Sequence, residues 1–264
     1  MGAVQGHRRA RRGDRGHAAR RAAASRRRAL VPRTRLQGVN FRFAGAGPGV
    51  QARDGCSVEL YRRLPYFGEL EEYRALFPPG VQVVELGCGA GRLTRQLLDW
   101  GVHVTAVDNC PEMLAALPNG ASPVLSDIES LNLDRRFEVA LLASCLINHP
   151  APDARFAFVA TARRHLGPRG RLLLERHDPA WLRAIQPGSI NPAGDIAMSV
   201  EAVRRTGDLV EMTLRYEIAG NVWRHSFVVA ALDEADVEAL LSQTGFGSFA
   251  WSGTRKRWLS AVVQ

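Results

Sequence analysis

Apolar runs recur along the middle of this chain at 81–84, 104–107, 123–125, 137–142 and 170–175. They are rich in Val, Leu and Ala with few polar interruptions, the pattern of strands covered on both faces. Between them, segments 92–100, 112–117 and 152–166 read as helices, the second opened by Pro111 and the third closed by Gly167. Strand and helix therefore alternate, and the spacing predicts a mostly parallel sheet with helices on both faces. Ahead of the first strand, 57–64 and 69–76 read as helical pieces broken at Pro65, and Pro78, Pro79 and Gly80 turn the chain into the sheet. Residues 195–231 break the rhythm. Runs at 196–203, 209–217 and 222–231, with turns at 206–208 and 219–221, predict a small antiparallel β insertion. A helix over 233–244, ended by Gly245, and a last antiparallel strand at 258–262, at or near the sheet edge, complete an α/β, Rossmann-like fold.

The polar residues at the strand ends carry the chemistry. The first strand runs into Glu85-Leu86-Gly87-Cys88-Gly89-Ala90-Gly91 and then a helix from Arg92, whose free N–H groups and dipole end point into the turn. A dinucleotide loop, G-x-G-x-x-G, would place its third glycine where Arg92 stands. The second strand ends in Asp108-Asn109. Ligands of such sheets sit beyond the carboxyl ends of the strands, where a carboxylate can accept two hydroxyls of a ribose; the plainer role for Asp108 is to cap the helix that follows. The third strand ends in Ser126-Asp127-Ile128, and the fourth opens into the loop 143–150, which holds Ser144, Asn148 and His149.

The pattern E-x-G-x-G-x-G, followed at the right distances by Asp108 and Asp127, resembles motif I and its sequels in the class I S-adenosylmethionine (SAM) dependent methyltransferases, most of all the small-molecule type. The likeness covers about 61–175 well and the rest loosely. It implies SAM as cofactor and, residue by residue, a binding set of Glu85, Gly87, Cys88, Gly89, Gly91, Asp108, Asn109, Asp127, Ile128 and Ser144. In that set Asp108 takes the ribose, Asp127 the adenine amino group, Ile128 the ring, and the loop after strand four the methionine end and the acceptor. Two departures stand out. The Asn/Asp-Pro-Pro-Tyr/Phe motif of many base and amide N-methyltransferases is missing, and so is a pair of metal-binding carboxylates, so no metal is expected. Helices ahead of the first strand often cap the cofactor in this family, which makes Tyr61 and Tyr66 lid candidates; ordinary packing is the alternative.

Charge alters this picture less than it first suggests. The 264 residues carry a net charge of +9, but residues 1–35 hold twelve arginines and one acid, Asp14, so the remainder is slightly acidic. Residues 1–50 read as a disordered Arg-rich tail that cannot bury enough apolar area to order itself, and 51–264 as the methyltransferase domain. The tail could bind RNA or an acidic surface, serve as an organellar transit peptide, or be a non-native extension from a start codon set too far upstream. The last is favoured by a single lysine, Lys256, among 34 arginines, a sign of a GC-rich genome. Cys56, Cys88, Cys110 and Cys145 form no ligand or disulfide framework, and Cys88 and Cys145 read as buried fillers. No apolar run is long enough to span a bilayer. The expected setting is cytoplasmic and the expected partner a small-molecule methyl acceptor, with nucleic acid disfavoured. The sequence carries no signal for oligomeric state.

Methyl transfer from a sulfonium is an in-line displacement in which the protein chiefly aligns the groups. A hydroxyl acceptor needs a base, most often histidine, whereas a neutral amine does not. His177, after strand five, and His149, after strand four, are the candidate catalytic bases. Glu175 and His225 are weaker ones. Trp181, Trp223 and Trp251 could wall a planar acceptor or simply fill core. The rival readings are an RNA or protein methyltransferase anchored by the tail, and a SAM-binding module without catalysis.

Overall fold

The computed structural model describes residue 2, residues 43–193 and residues 195–264. The expected tail therefore lies mostly outside the described residues, although a short strand, β1 (Ala44–Ala46), already falls inside 1–50. An Ala-Gly-Ala strand is held by backbone pairing alone and leaves no apolar pattern to read.

Next come α1 (Val58–Arg63), whose first turn is capped by the Ser57 hydroxyl, and a 3-10 turn at Glu71–Leu76. The sheet elements follow in alternation: β2 (Gln82–Leu86), α2 (Arg92–Asp99), β3 (His103–Asp108), α3 (Pro111–Leu114), β4 (Ser122–Leu125) and β5 (Phe137–Leu142). Then come α4 (Pro152–His165), β6 (Leu166–Glu175) and α5 (Pro179–Ala184). Strands β7 (Gly188–Ala193), β8 (Ile196–Thr206), β9 (Leu209–Ile218) and β10 (Asn221–Ala230) precede α6 (Glu234–Gln243), β11 (Phe246–Ser252) and β12 (Trp258–Val263).

Seven strands form the main sheet in the order β11-β12-β6-β5-β2-β3-β4. The pairs from β6 to β4 are parallel; β12 runs antiparallel to both β6 and β11. Both faces are buried, and successive residues serve opposite cores. Val84, Leu86, Ala140, Leu142, Leu172 and Leu174 join α4 and α6 on one face. Val83, Val139, Leu141 and Leu173 join α2 and the 3-10 turn on the other. That period of two, with apolar residues on both phases, is why these strands read as unbroken apolar runs.

The insertion is larger than expected. It is a five-stranded antiparallel sheet, β1-β10-β9-β8-β7, rather than three strands within 195–231, because β1 and β7 add an edge on each side. Its inner residues, among them Val200, Met212, Leu214 and Trp223, pack with Leu60 of α1 and Leu182 of α5.

Several boundaries move. Directly after β6 the chain turns into α5, started by Asp178, which accepts the Ala180 N–H, and by Pro179. Gly167 lies inside β6 instead of ending α4, and α3 stops at Leu114, ahead of Pro118. Strand β11 lacks a clean alternating pattern and was not expected. With it in place β12 lies one strand in from the edge.

Candidate functional site

The strand order reverses at β2, which has β3 on one side and β5 on the other. Ligands of open α/β sheets bind at such a switch point, beyond the carboxyl ends of the strands. The turn after β2 is built to stay open there. Gly87 and Cys88 both donate their N–H groups to the Val107 carbonyl at 2.9 Å, and Gly91 closes the turn on the Cys88 carbonyl at 3.1 Å. A Cβ on Gly87 would run into Leu146, from the loop after β5. Gly89 differs. Its φ of 53° favours glycine, and on this edge of the turn a Cβ would make only an ordinary contact, with Tyr61 Cδ1 at 3.6 Å, where one on Gly91 would clash with Leu117.

Asp108 ends β3 beside that edge. Its Oδ2 accepts the Gly89 N–H at 2.8 Å and its Oδ1 the Cys110 N–H at 2.9 Å. Each oxygen keeps acceptor capacity for a further donor. Burial pushes the carboxyl above its ordinary range while the two N–H groups pull the other way. Asp108 thus holds the backbone of Cys110, the residue ahead of α3, and also fixes the glycine turn.

Glu85 is placed differently from its neighbours in the motif. It is 3 % exposed and accepts the Thr94 hydroxyl of α2 at 2.6 Å. Burial raises its pKa to about 7. Its carboxyl ties α2 to β2 from within the core, so it supports the turn rather than facing the crevice. Cys88 is buried in the same region.

Asn109 and Asp127 meet at the tips of β3 and β4: Asn109 Nδ2 donates to Asp127 Oδ1 at 2.9 Å. Arg53, from the segment before α1, forms an ion pair with the same oxygen. These three side chains line an open depression of about 530 Å³ together with Pro111, Leu125, Ser126 and Ser130. Ile128 is buried in the core under the crevice, its Cδ1 3.7 Å from the Cβ position of Gly87.

On the other side of the switch point, Ser144 and Cys145 take consecutive left-handed conformations, φ 54° and 57°. Such residues cost of order 1–3 kcal/mol each and persist only where the surroundings hold them. Here the Ser144 N–H donates to Glu175 Oε2 at 2.9 Å, and the other Glu175 oxygen is paired with Arg257. Glu175 is 5 % exposed; burial raises its pKa against the pull of Arg257 and Arg92. Arg92 is itself paired with Glu69.

The two histidines have unlike surroundings. His149 Nδ1 accepts the Ala151 N–H at 3.2 Å, just ahead of α4, and the ring lies between Phe43 and Phe158. Burial lowers its pKa. His177 stacks on Trp181, ring centroids 5.8 Å apart, and burial with the nearby Arg257 charge lowers its pKa to about 4. The two loops are stitched together by Asn148, which is fully buried. Its Oδ1 accepts the His177 N–H at 2.8 Å and its Nδ2 donates to the Ala230 carbonyl at 2.7 Å.

Asn148 stood inside a loop already marked as functional. Arg53 and Arg257 had no local signal, since their partners lie 74 and 82 residues away. Tyr61 covers Gly89, and its hydroxyl accepts the Cys56 thiol at 3.1 Å; the Tyr66 hydroxyl accepts the Leu70 N–H at 3.0 Å. His225 lies against the Asp54 carbonyl at 3.0 Å. Trp223 is core, 1 % exposed, and Trp251 donates to Glu238 on α6, so of the three tryptophans Trp181 alone adjoins a candidate histidine. Among the described residues no helix is long and apolar enough to cross a membrane, and no group of three or more His, Cys, Asp or Glu side chains could hold a metal ion.

A glycine turn at the switch point, flanked by acids at the next two strand tips, with an antiparallel strand slotted beside β6, defines the class I methyltransferase fold. Residues 83–170 match the family model described as a methyltransferase domain. Those residues thus match a methyltransferase domain, and the chain shares the fold of SAM-dependent methyltransferases. Among curated proteins it is 34% identical over 119 residues to the uncharacterized methyltransferase Rv3342 of Mycobacterium tuberculosis, a match covering 40% of this chain and 47% of that one. The chain thus spans about half the length of the curated relatives it matches. A SAM-dependent methyltransferase from Clostridium acetobutylicum shares the fold with a TM-score of 0.60 at 17% identity, over 74% of this chain and 88% of that one. SAM-bound CalS10, an amino pentose methyltransferase from Micromonospora echinaspora, does so with a TM-score of 0.59 at 20% identity, over 80% and 93%.

Proposed function

We propose that this chain is a SAM-dependent methyltransferase that methylates an amine nitrogen of a small molecule. The observation that carries the cofactor reading is the bond from the Gly89 N–H to Asp108, which ties the least crowded glycine of the turn, under the Tyr61 ring, to the acid at the next strand tip. The residues fit an adenosyl group. Asp108 has acceptor capacity for ribose hydroxyls and Asp127 for the adenine amino group. The turn 87–91 and the Ser144 loop bound the methionine end. When bound, SAM supplies an electrophilic methyl group on a sulfonium.

The preference for nitrogen comes from what the acceptor side lacks. A hydroxyl needs a base of near-neutral pKa within reach. His177, at about 4, is too weak a base, and His149 is engaged at the start of α4. Glu175 has both oxygens engaged, and Glu85 is sealed in the core. A neutral amine needs only alignment and can lose its proton to water after transfer. An amine acceptor also agrees with the description of CalS10 as an amino pentose methyltransferase.

The test has two stages. Calorimetry with SAM and S-adenosylhomocysteine should show binding of both. Transfer of labelled methyl into small-molecule extracts should then give products retained on a cation exchanger at acidic pH and stable to alkali. Products that lose the label in alkali, or run as neutral ethers, would move the acceptor to oxygen.

A further inference from the structure

The acid at the tip of β4 is already engaged from outside its own strand. Arg53 reaches across from the segment before α1 to pair with Asp127 Oδ1, and Asn109 donates to that same oxygen at 2.9 Å. Oδ2 makes no hydrogen bond among the described residues. Arg53 is not on a loose arm. The Ala52 N–H donates to the Cys56 carbonyl at 2.8 Å, the Gly55 N–H to the Ala52 carbonyl at 2.9 Å, and the Val58 N–H to the Val50 carbonyl at 3.0 Å. This turn projects Arg53 over the depression it shares with Asn109 and Asp127. Asn109 and Arg53 together hold the Asp127 carboxyl below its usual range.

We infer that Arg53 is a positioning residue for base recognition: with Asn109 it anchors Asp127 Oδ1 so that Oδ2 faces the pocket as a fixed acceptor, selecting a base with an exocyclic amino group over one with a carbonyl there. The inference rests on the cofactor reading above. A carboxylate has acceptor capacity only, so it accepts from the amino group of adenine and opposes the carbonyl oxygen of hypoxanthine. Anchoring through one oxygen keeps that choice sharp. An unanchored carboxylate can turn away or take up a proton and tolerate either base.

The test compares S-adenosylhomocysteine with S-inosylhomocysteine, its hypoxanthine counterpart, by calorimetry on the whole chain. Wild type should favour the adenosyl compound. Because the Arg53–Asp127 pair is largely exposed, removing it is expected to change affinity by only about two- to fivefold. Arg53→Gln should lose that much affinity for the adenosyl compound and less for the inosyl one, so the preference narrows. Arg53→Lys should restore part of it, and Asp127→Asn, which can turn an amide N–H toward the carbonyl, should abolish it. Equal weakening toward both compounds would overturn the inference, as would tighter adenosyl binding by Arg53→Gln, which would make Arg53 a competitor for Asp127. If wild type binds neither compound, the cofactor reading itself fails and the inference goes with it; retained wild-type binding with an unchanged preference in Arg53→Gln sinks the inference alone.

Discussion

Gly89 and Asp108, nineteen residues apart in sequence, are joined by a 2.8 Å hydrogen bond from the glycine N–H to the carboxylate Oδ2. With the Cys110 N–H on Oδ1, one side chain fixes both the turn after β2 and the start of α3. Hydrogen bonds to a charged group contribute about 1.5–3 kcal/mol each, and Asp108 would lose two to the protein as well as any to the ribose. Asp108→Ala should therefore weaken S-adenosylhomocysteine binding by roughly a hundredfold, read by calorimetry, while a thermal melt still shows a folded protein. Unaltered affinity in that variant would contradict the ribose assignment.

Glu85 gives the fold a pH dependence of a definite sign. Burial raises its pKa from the ordinary 4.5 to about 7. The folded protein thus holds a proton that the unfolded chain releases between those values, and stability falls as pH rises through the window. The full effect is on the order of 3 kcal/mol, present below pH 4.5 and gone above about 7. Glu85→Gln keeps an acceptor for the Thr94 hydroxyl without the ionisation. Urea melts should show this variant losing less stability than wild type across the window and more stable than wild type at pH 8; parallel curves would refute the buried, proton-holding role.

The protonation of His177 can be followed without an acceptor. Its ring, stacked on Trp181 and near Arg257, should stay neutral until about pH 4. In a histidine NMR titration its ring resonance should move near that value and not near 6.5. A midpoint above 6 would restore it as a base for a hydroxyl acceptor.

These contrasts also explain how much could be read from the chain. Strands β2, β3 and β5 and the end of β6 are legible because both phases of their alternation are buried, as with Val83 and Val84 or Leu173 and Leu174. Gly87, Gly89, Gly91 and Asp108 were legible because their task is local: a turn and the strand tip beside it. Glu85 was legible as part of the motif but not as a core residue, since only the burial of Thr94 against it decides that. Strands β1 and β11 were missed because edge pairing asks little of the side chains. Arg53, Arg257 and the bridging role of Asn148 depend on contacts that no local pattern encodes.

Trp223 decides whether the second sheet is a wall for the acceptor or a structural layer. It is 1 % exposed within the core that joins β8–β10 to α1 and α5. Its Nε1 donates to the Pro48 carbonyl at 2.9 Å, and the Arg63 guanidinium lies over its ring at 5.5 Å. Replacing a buried Trp by Ala costs about 3–5 kcal/mol, and here the Pro48 carbonyl also loses its donor. A layer built this way should respond in stability and leave the cofactor pocket alone. Trp223→Ala should accordingly lower the urea midpoint sharply, while S-adenosylhomocysteine affinity below the melt stays within about twofold of wild type. Trp223→Phe, which keeps most of the volume and loses only the N–H, should fall between. If Trp223→Ala left stability intact and impaired only methyl transfer, the ring would belong to the acceptor site and the second sheet would be its wall.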